Sequence, residues 1–122
     1  SQISTMVVPD SVRDVPDDRP YSVGKIVKQV DVGGGTWGYM SGQVGFNKQA
    51  DQLISDSAIE QSEQALQNMK DIAEANGFTL DDCIKTTVFL TDMANFAECN
   101  KVYARIFSGA GEKPARSCVA VY

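Results

Sequence analysis

Apolar and polar residues alternate through "YSVGKIVKQVDV" (21–32), with Val23, Ile26, Val27, Val30 and Val32 as the apolar members. A period near two predicts a strand. "GGG" at 33–35 reads as a turn, and "TWGYMSGQVGF" (36–46) as a second strand, so the two suggest an antiparallel hairpin. The period then lengthens. Ile59, Leu66, Met69, Ile72 and Ala73 share one face of a helix, with Glu63, Lys70, Asp71 and Glu74 mostly opposite. Ser57-Ala-Ile-Glu60 marks its start as a capping box, in which the serine hydroxyl accepts from the N3 amide and the glutamate reaches back. Gly77 is a good C′ residue to end it.

"CIKTTVFLT" (83–91) is rich in β-branched residues and predicts a strand. Asp92 can cap a second helix, "MANFAECNKVYARIF", with Phe96, Cys99, Val102, Tyr103 and Ile106 as its buried stripe. "SGAGEK" is a loop, and "ARSCVAVY" the last strand. Before Tyr21 no period holds. Three of the four prolines and Asp10, Asp14, Asp17 and Asp18 fall there, so 1–19 is expected to be an irregular lead-in to one domain spanning 1–122. The order ββαβαβ predicts an α+β fold, one mixed sheet with two amphipathic helices on one face.

Composition narrows the function. With 122 residues, 43% of them hydrophobic and 22% charged, the chain suits a soluble globular domain. No apolar run approaches the roughly 20 residues that span a bilayer, and "SQISTMVVPD" lacks the basic start and apolar core of a signal peptide. A net charge of −5 argues against a nucleic-acid surface. Cys83, Cys99 and Cys118 lie far apart without metal spacing, so reduced thiols in a cytosol-like compartment are expected. The chain has no histidine, which removes Ser-His-Asp and Cys-His nucleophile systems and the usual zinc sites. Catalysis would have to use carboxylates, Tyr, Lys, Arg, backbone amides or water.

Three short stretches stand out. "SGQ" (41–43) sets a glycine between hydroxyl and amide side chains, which suits either a strand-end turn or a site. "RPY" (19–21) is a proline-fixed lead into Tyr21. In "PARS" (114–117), Pro114 fixes the start of a strand on which Arg116 is the only charge. Arg116 could pair with a structural acid, face water at the strand end, or bind a ligand carboxylate through its planar fork.

Taken together, "PYS" (20–22), "SGQVGFN" (41–47), "EQSEQALQNMKDIAEANGFTLDDCIKTTVFLTDMANFAECNKVYARIF" (60–107) and "PARSCVAV" (114–121) resemble the Rid family, the YjgF-like reactive-intermediate deaminases. The resemblance covers nearly everything from Pro20 onward. It implies a chorismate-mutase-like fold and a homotrimer with clefts between neighbouring subunits. It also implies hydrolysis of enamine and imine intermediates of the 2-aminoacrylate type to 2-keto acids and ammonia, without metal or organic cofactor. The family also contains members without this activity, so the alternative is a non-catalytic binder of small carboxylates or 2-keto acids in the same cleft. Translation-inhibitor and endoribonuclease are older family labels, which the acidic composition and absent histidine disfavour.

Carried over residue by residue, the resemblance implies that Arg116 holds the substrate carboxylate. Gly42, beside Ser41, lets backbone approach the ligand, and Tyr21 closes the pocket. Asn100 matches a family asparagine near the cleft, and Cys118 a cysteine whose neighbouring backbone helps place substrate and water. The catalytic set implied is Arg116, Tyr21 and Cys118, and the substrate-binding set Arg116, Gly42, Ser41, Asn100 and Tyr21. Arg19 departs from the family's usual glycine before the proline and is expected to reshape the pocket mouth or add a positive charge. The family continues past the position of Tyr122 through a leucine-proline turn into a strand bearing a glutamate that orients water. That strand is absent from this sequence, and Glu112 lies on the wrong side of the motif to replace it. The expected partners are a small imine, enamine or keto-acid ligand and two further copies of the chain, with no nucleic acid and no membrane. The expected location is the cytoplasm, with the mitochondrion left open.

Overall fold

The computed structural model describes residues 2–29, 33–109 and 113–121. The elements run β1 (Gln2–Thr5), β2 (Gly24–Lys28), β3 (Thr36–Met40), β4 (Phe46–Asn47), β5 (Gln52–Leu53), α1 (Ala58–Ala75), β6 (Lys85–Leu90), α2 (Phe96–Ile106) and β7 (Ala115–Ala120). Short 3-10 turns at Leu80–Asp82 and Met93–Asn95 precede β6 and α2. The fold is α+β; the expected order ββαβαβ is present as β2, β3, α1, β6, α2 and β7, with β1, β4 and β5 in addition.

The hairpin forms as β2 and β3, antiparallel, with Val27 opposite Trp37. Val30 and Val32, expected to extend its first strand, lie outside the described residues. The expected second strand is shorter than its sequence pattern. It ends at Met40, residues 41–45 form a loop, and β4 turns away to pair with β5. The lead-in is also more ordered than its prolines suggest. Gln2–Thr5 form β1 on the outer edge of β2, and Met6 and Val12 are buried in the core. All four β1 residues are exposed, so no burial pattern in the sequence marks that strand.

The expected single mixed sheet is not what the described residues form. Their strands make a three-stranded antiparallel sheet β1-β2-β3, the short β4-β5 pair and a parallel pair β6-β7. Each of β3 and β6 has only one strand neighbour among the described residues, so the two larger groups share no ladder.

Helix α1 joins the two halves. Ser57 Oγ accepts from Glu60 N at 3.3 Å, satisfying one of the first-turn amides that lack intrahelical partners. At the other end Gly77 takes a φ of +85°, a left-handed value that glycine adopts without steric cost. Between these caps Ile72 meets Met6, Val12 and Val23 beneath the antiparallel sheet. Leu66, one to two turns earlier, packs with Val102 and Phe107 beside α2. Burying an aliphatic side chain of this size stabilises the fold by about 1.5–3 kcal/mol. The same helix therefore braces the antiparallel sheet on one side and α2 on the other. Asp92 accepts from Ala94 N at 2.9 Å, so it caps the 3-10 turn that leads into α2 rather than α2 itself.

Candidate functional site

Alternation along β7 turns Arg116 and Cys118 to its half-buried face and Ser117 to the exposed one. The parallel register sets Thr86 opposite Arg116 and Val88 opposite Cys118. The second helix adds Phe96, Asn100 and Tyr103, spaced four and then three residues apart, as one helical stripe. Arg116 Nη1 donates to Asn100 Oδ1 at 2.6 Å. The guanidinium carbon lies 4.8 Å from the centroid of the Tyr103 ring and 5.6 Å from that of Phe96. The Tyr103 hydroxyl is 2.6 Å from Thr86 Oγ1.

Of the three readings open to Arg116, pairing with a structural acid is not observed among the described residues. The ion pairs among the described residues are Lys101–Glu98 and Arg105–Glu63. The arginine instead meets an amide oxygen and two ring faces. Neither neutralises its charge, so it remains a suitable partner for a carboxylate.

A second cluster gathers around the end of the hairpin. Ser41 N donates to Val23 O at 2.8 Å, and Ser41 Oγ donates to Ser22 O at 2.6 Å, fixing the strand end beside Tyr21. Tyr21 and Ser41 line both a shallow depression of about 330 Å³ and a more enclosed cavity of about 150 Å³. Gly42 lines the smaller one, and a Cβ built on it meets nothing within 4 Å. The loop stays close to α1 because Gly45 lets it: a Cβ there would lie 2.6 Å from Gln61 Cα.

Two residues that the sequence reading did not single out shape this cluster. Asn68, buried on α1, donates from Nδ2 to Phe46 O at 2.9 Å and accepts from Gln64 Nε2 at 2.8 Å. It pins the loop that carries Gly42. An asparagine four residues before the core residue Ile72 was the available signal. Arg13 stacks over the Phe46 ring at 3.7 Å and lines the smaller cavity. Arg19 lines neither cavity; its amide donates to Pro16 O at 2.9 Å in a turn. Nothing in the sequence ranks Arg13 above Arg19, because only the fold of the lead-in brings one of them to the cavity.

Tyr21, Ser41 and Gly42 thus share one cluster, and Arg116, Asn100 and Tyr103 another, with Cys118 two residues beyond Arg116 on the same strand face. None of the Arg116 group lines either cavity. The three cysteines are free thiols. Burial pushes the Cys83 thiol above its ordinary pKa, offset in part by a backbone hydrogen bond from Lys85. Among the described residues no group of three or more Cys, Asp or Glu side chains could hold a metal ion. Nor is any of their helices long and apolar enough to cross a membrane. Glu112 lies outside the described residues.

The model of a known family, described as endoribonuclease L-PSP, matches residues 17–122. The chain belongs to this family, the Rid or YjgF-like proteins. Within it, the chain is 38% identical over 106 residues to a 2-iminobutanoate/2-iminopropanoate deaminase of Escherichia coli, covering 86% of this chain and 80% of the relative. To "Protein MMF1, mitochondrial" of Saccharomyces cerevisiae it is 45% identical over 83 residues, or 68% of this chain and 55% of the relative. The fold is similar to the crystal structure of the Escherichia coli YjgF gene product, with a TM-score of 0.80 and 32% identity. That likeness covers 97% of this chain and 86% of the other. The Rid resemblance read from the sequence motifs is therefore correct.

Proposed function

We propose that the protein hydrolyses enamine and imine intermediates of the 2-aminoacrylate type to 2-keto acids and ammonia. The observation that carries this reading is the half-buried Arg116, held by Asn100 and two aromatic rings and paired with no carboxylate among the described residues. Relatives named 2-iminobutanoate/2-iminopropanoate deaminase support the same chemistry. The family model's endoribonuclease description fits less well with a histidine-free chain of net charge −5.

In this reading Arg116 takes the substrate carboxylate bidentately and fixes the imine carbon relative to the protein. An enamine first becomes the imine by taking a proton on its methylene carbon and losing one from nitrogen. Water then adds to the imine carbon, forming a C–O bond as the C=N electron pair moves to nitrogen, which takes up the proton the water loses. The resulting carbinolamine then loses ammonia as its C–N bond breaks and the carbonyl forms. The reaction already runs in water, so orientation by Arg116, Asn100 and the backbone beside Cys118 supplies much of the rate gain. Tyr21 closes the pocket, and Gly42, beside Ser41, presents open backbone to the ligand.

The two clusters become one site if Tyr21, Ser41 and Gly42 of one copy meet Arg116 of the next, as in a homotrimer with clefts between subunits. The outer faces of the strands support such an assembly. Ile3 and Trp37 on the antiparallel sheet, and Phe89 and Val119 on the parallel pair, are large apolar side chains left exposed. Light scattering is expected to give three times the 13.2 kDa chain mass, and a monomeric mass would remove the shared site.

The activity is tested by ammonia release from 2-aminoacrylate generated in situ by a serine dehydratase. Acceleration over buffer that disappears in Arg116→Ala is expected. No acceleration, together with Arg116-dependent binding of 2-ketobutyrate, would assign the cleft to carboxylate binding alone.

A further inference from the structure

We infer that Tyr103 is a positioning residue for Arg116: its ring, anchored through its hydroxyl to Thr86, sets the plane of the guanidinium offered to the ligand. This rests on the reading of Arg116 as the carboxylate clamp. Asn100 fixes a single guanidinium nitrogen, at 2.6 Å, and one hydrogen bond leaves the fork free to swivel about that point. A ring face beneath the guanidinium removes this freedom, because stacking favours one plane. Of the two rings, Tyr103 is the nearer, at 4.8 Å against 5.6 Å for Phe96.

The Tyr103 ring is itself held in place. Its hydroxyl lies 2.6 Å from Thr86 Oγ1, and its ring centroid lies 4.6 Å from that of Phe107 at an interplanar angle of 31°. Thr86 is the residue opposite Arg116 in the β6–β7 register. The anchor and the arginine therefore stand on one rung of the ladder, and the ring is braced against the strands that carry its target. A residue serving only the core would need the ring and not the hydroxyl: phenylalanine would fill the same space beside Val102 and Phe107. A half-buried hydroxyl paired with a threonine hydroxyl is what orientation requires.

Four variants of the full chain test this: Tyr103→Leu, Tyr103→Phe, Thr86→Val and the Tyr103→Phe/Thr86→Val double. Each is assayed for kcat and KM on 2-aminoacrylate, for Kd of 2-ketobutyrate, for its thermal midpoint, and for the NMR resonance of Arg116 Nε–Hε. Tyr103→Leu is expected to raise KM and Kd by about 3- to 30-fold, with a smaller change in kcat, as the stacking contact is lost. Tyr103→Phe and Thr86→Val should each raise them by about 2- to 5-fold, the size of one hydrogen bond. The double variant should match the worse single, since both remove the same bond. The Arg116 resonance should move in Tyr103→Leu as it leaves the ring's shielding. If Tyr103→Leu lowers the thermal midpoint but leaves KM, Kd and the resonance at wild-type values, Tyr103 is a core residue and the inference is overturned. If wild-type protein neither turns over nor binds these ligands, the clamp reading fails. The resonance alone then decides whether Tyr103 holds the guanidinium.

Discussion

Arg116 donates to Asn100 across the junction of β7 and α2, at 2.6 Å, where a carboxylate would be the ordinary partner for a half-buried arginine. An amide oxygen orients the guanidinium without cancelling its charge. That difference separates a structural arginine from one able to bind a ligand. A lysine in its place would keep the charge but lose both the planar fork and the stacking on Tyr103. Arg116→Lys is therefore expected to lower kcat/KM for 2-aminoacrylate by about 10- to 100-fold. It should change the thermal midpoint little, which steady-state kinetics beside a melting curve will check.

Asn68 offers a stability test at some distance from the chemistry. Its side-chain amide serves the carbonyl of Phe46 and accepts from Gln64 within the core. Asn68→Leu keeps the branched shape but leaves that carbonyl without its donor, at a cost of about 1–3 kcal/mol. The urea midpoint should fall by the corresponding amount. Ligand affinity should fall too, because the loop from Ser41 to Gly45 loses its tie to α1.

Helix α1 was legible in the sequence because it is written twice, once in its caps and once in its stripe, whereas α2 is marked by its stripe alone. Ser57, Gly77 and the row from Ile59 to Ala73 all point to the same element. The strands were less legible where burial does not mark them. The exposed β1 carries no period, and the expected strand 36–46 breaks at Ser41 because Gly45 brings the chain onto Gln61. Arg116 was visible as a lone charge on an apolar strand. Tyr103 was visible only as a member of the apolar stripe, since its reach to Thr86 depends on how α2 crosses β6. Asn68 and Arg13 owe their roles to contacts with residues 22 and 33 positions away, a relation that no local pattern encodes.

Cys83 gives a pH dependence with a definite sign. Burial disfavours the thiolate, so the folded state holds the thiol's proton to a higher pH than the unfolded chain does. The contribution is fully present below the ordinary value of 9.0 and is lost as pH rises through the higher folded value. Stability should therefore decline above pH 9 through this group, and Cys83→Ala should flatten that part of the profile. Thermal midpoints of the two proteins measured from pH 8 to pH 10 will show it; parallel profiles would exclude Cys83 as the titrating group.

Two glycines three residues apart should respond oppositely to the same substitution. At Gly45 an added Cβ would come within 2.6 Å of Gln61 Cα and 2.9 Å of Gln61 O, both backbone atoms of the first turns of α1. Neither can swing aside as a side chain would, so the loop or the helix must shift. Gly45→Ala is expected to cost about 1–3 kcal/mol, the usual range for overpacking. At Gly42 the same Cβ meets nothing within 4 Å, and its φ lies outside the left-handed region. Gly42→Ala should therefore fold with an unchanged or slightly higher midpoint, since alanine restricts the unfolded chain. If backbone at Gly42 meets the ligand, that methyl group occupies the approach, and kcat/KM should fall by about 10- to 100-fold through misplacement. A Gly42→Ala protein with full activity would remove this residue from the site, whereas stable, inactive Gly42→Ala beside unstable Gly45→Ala would separate the loop's role in binding from its role in packing.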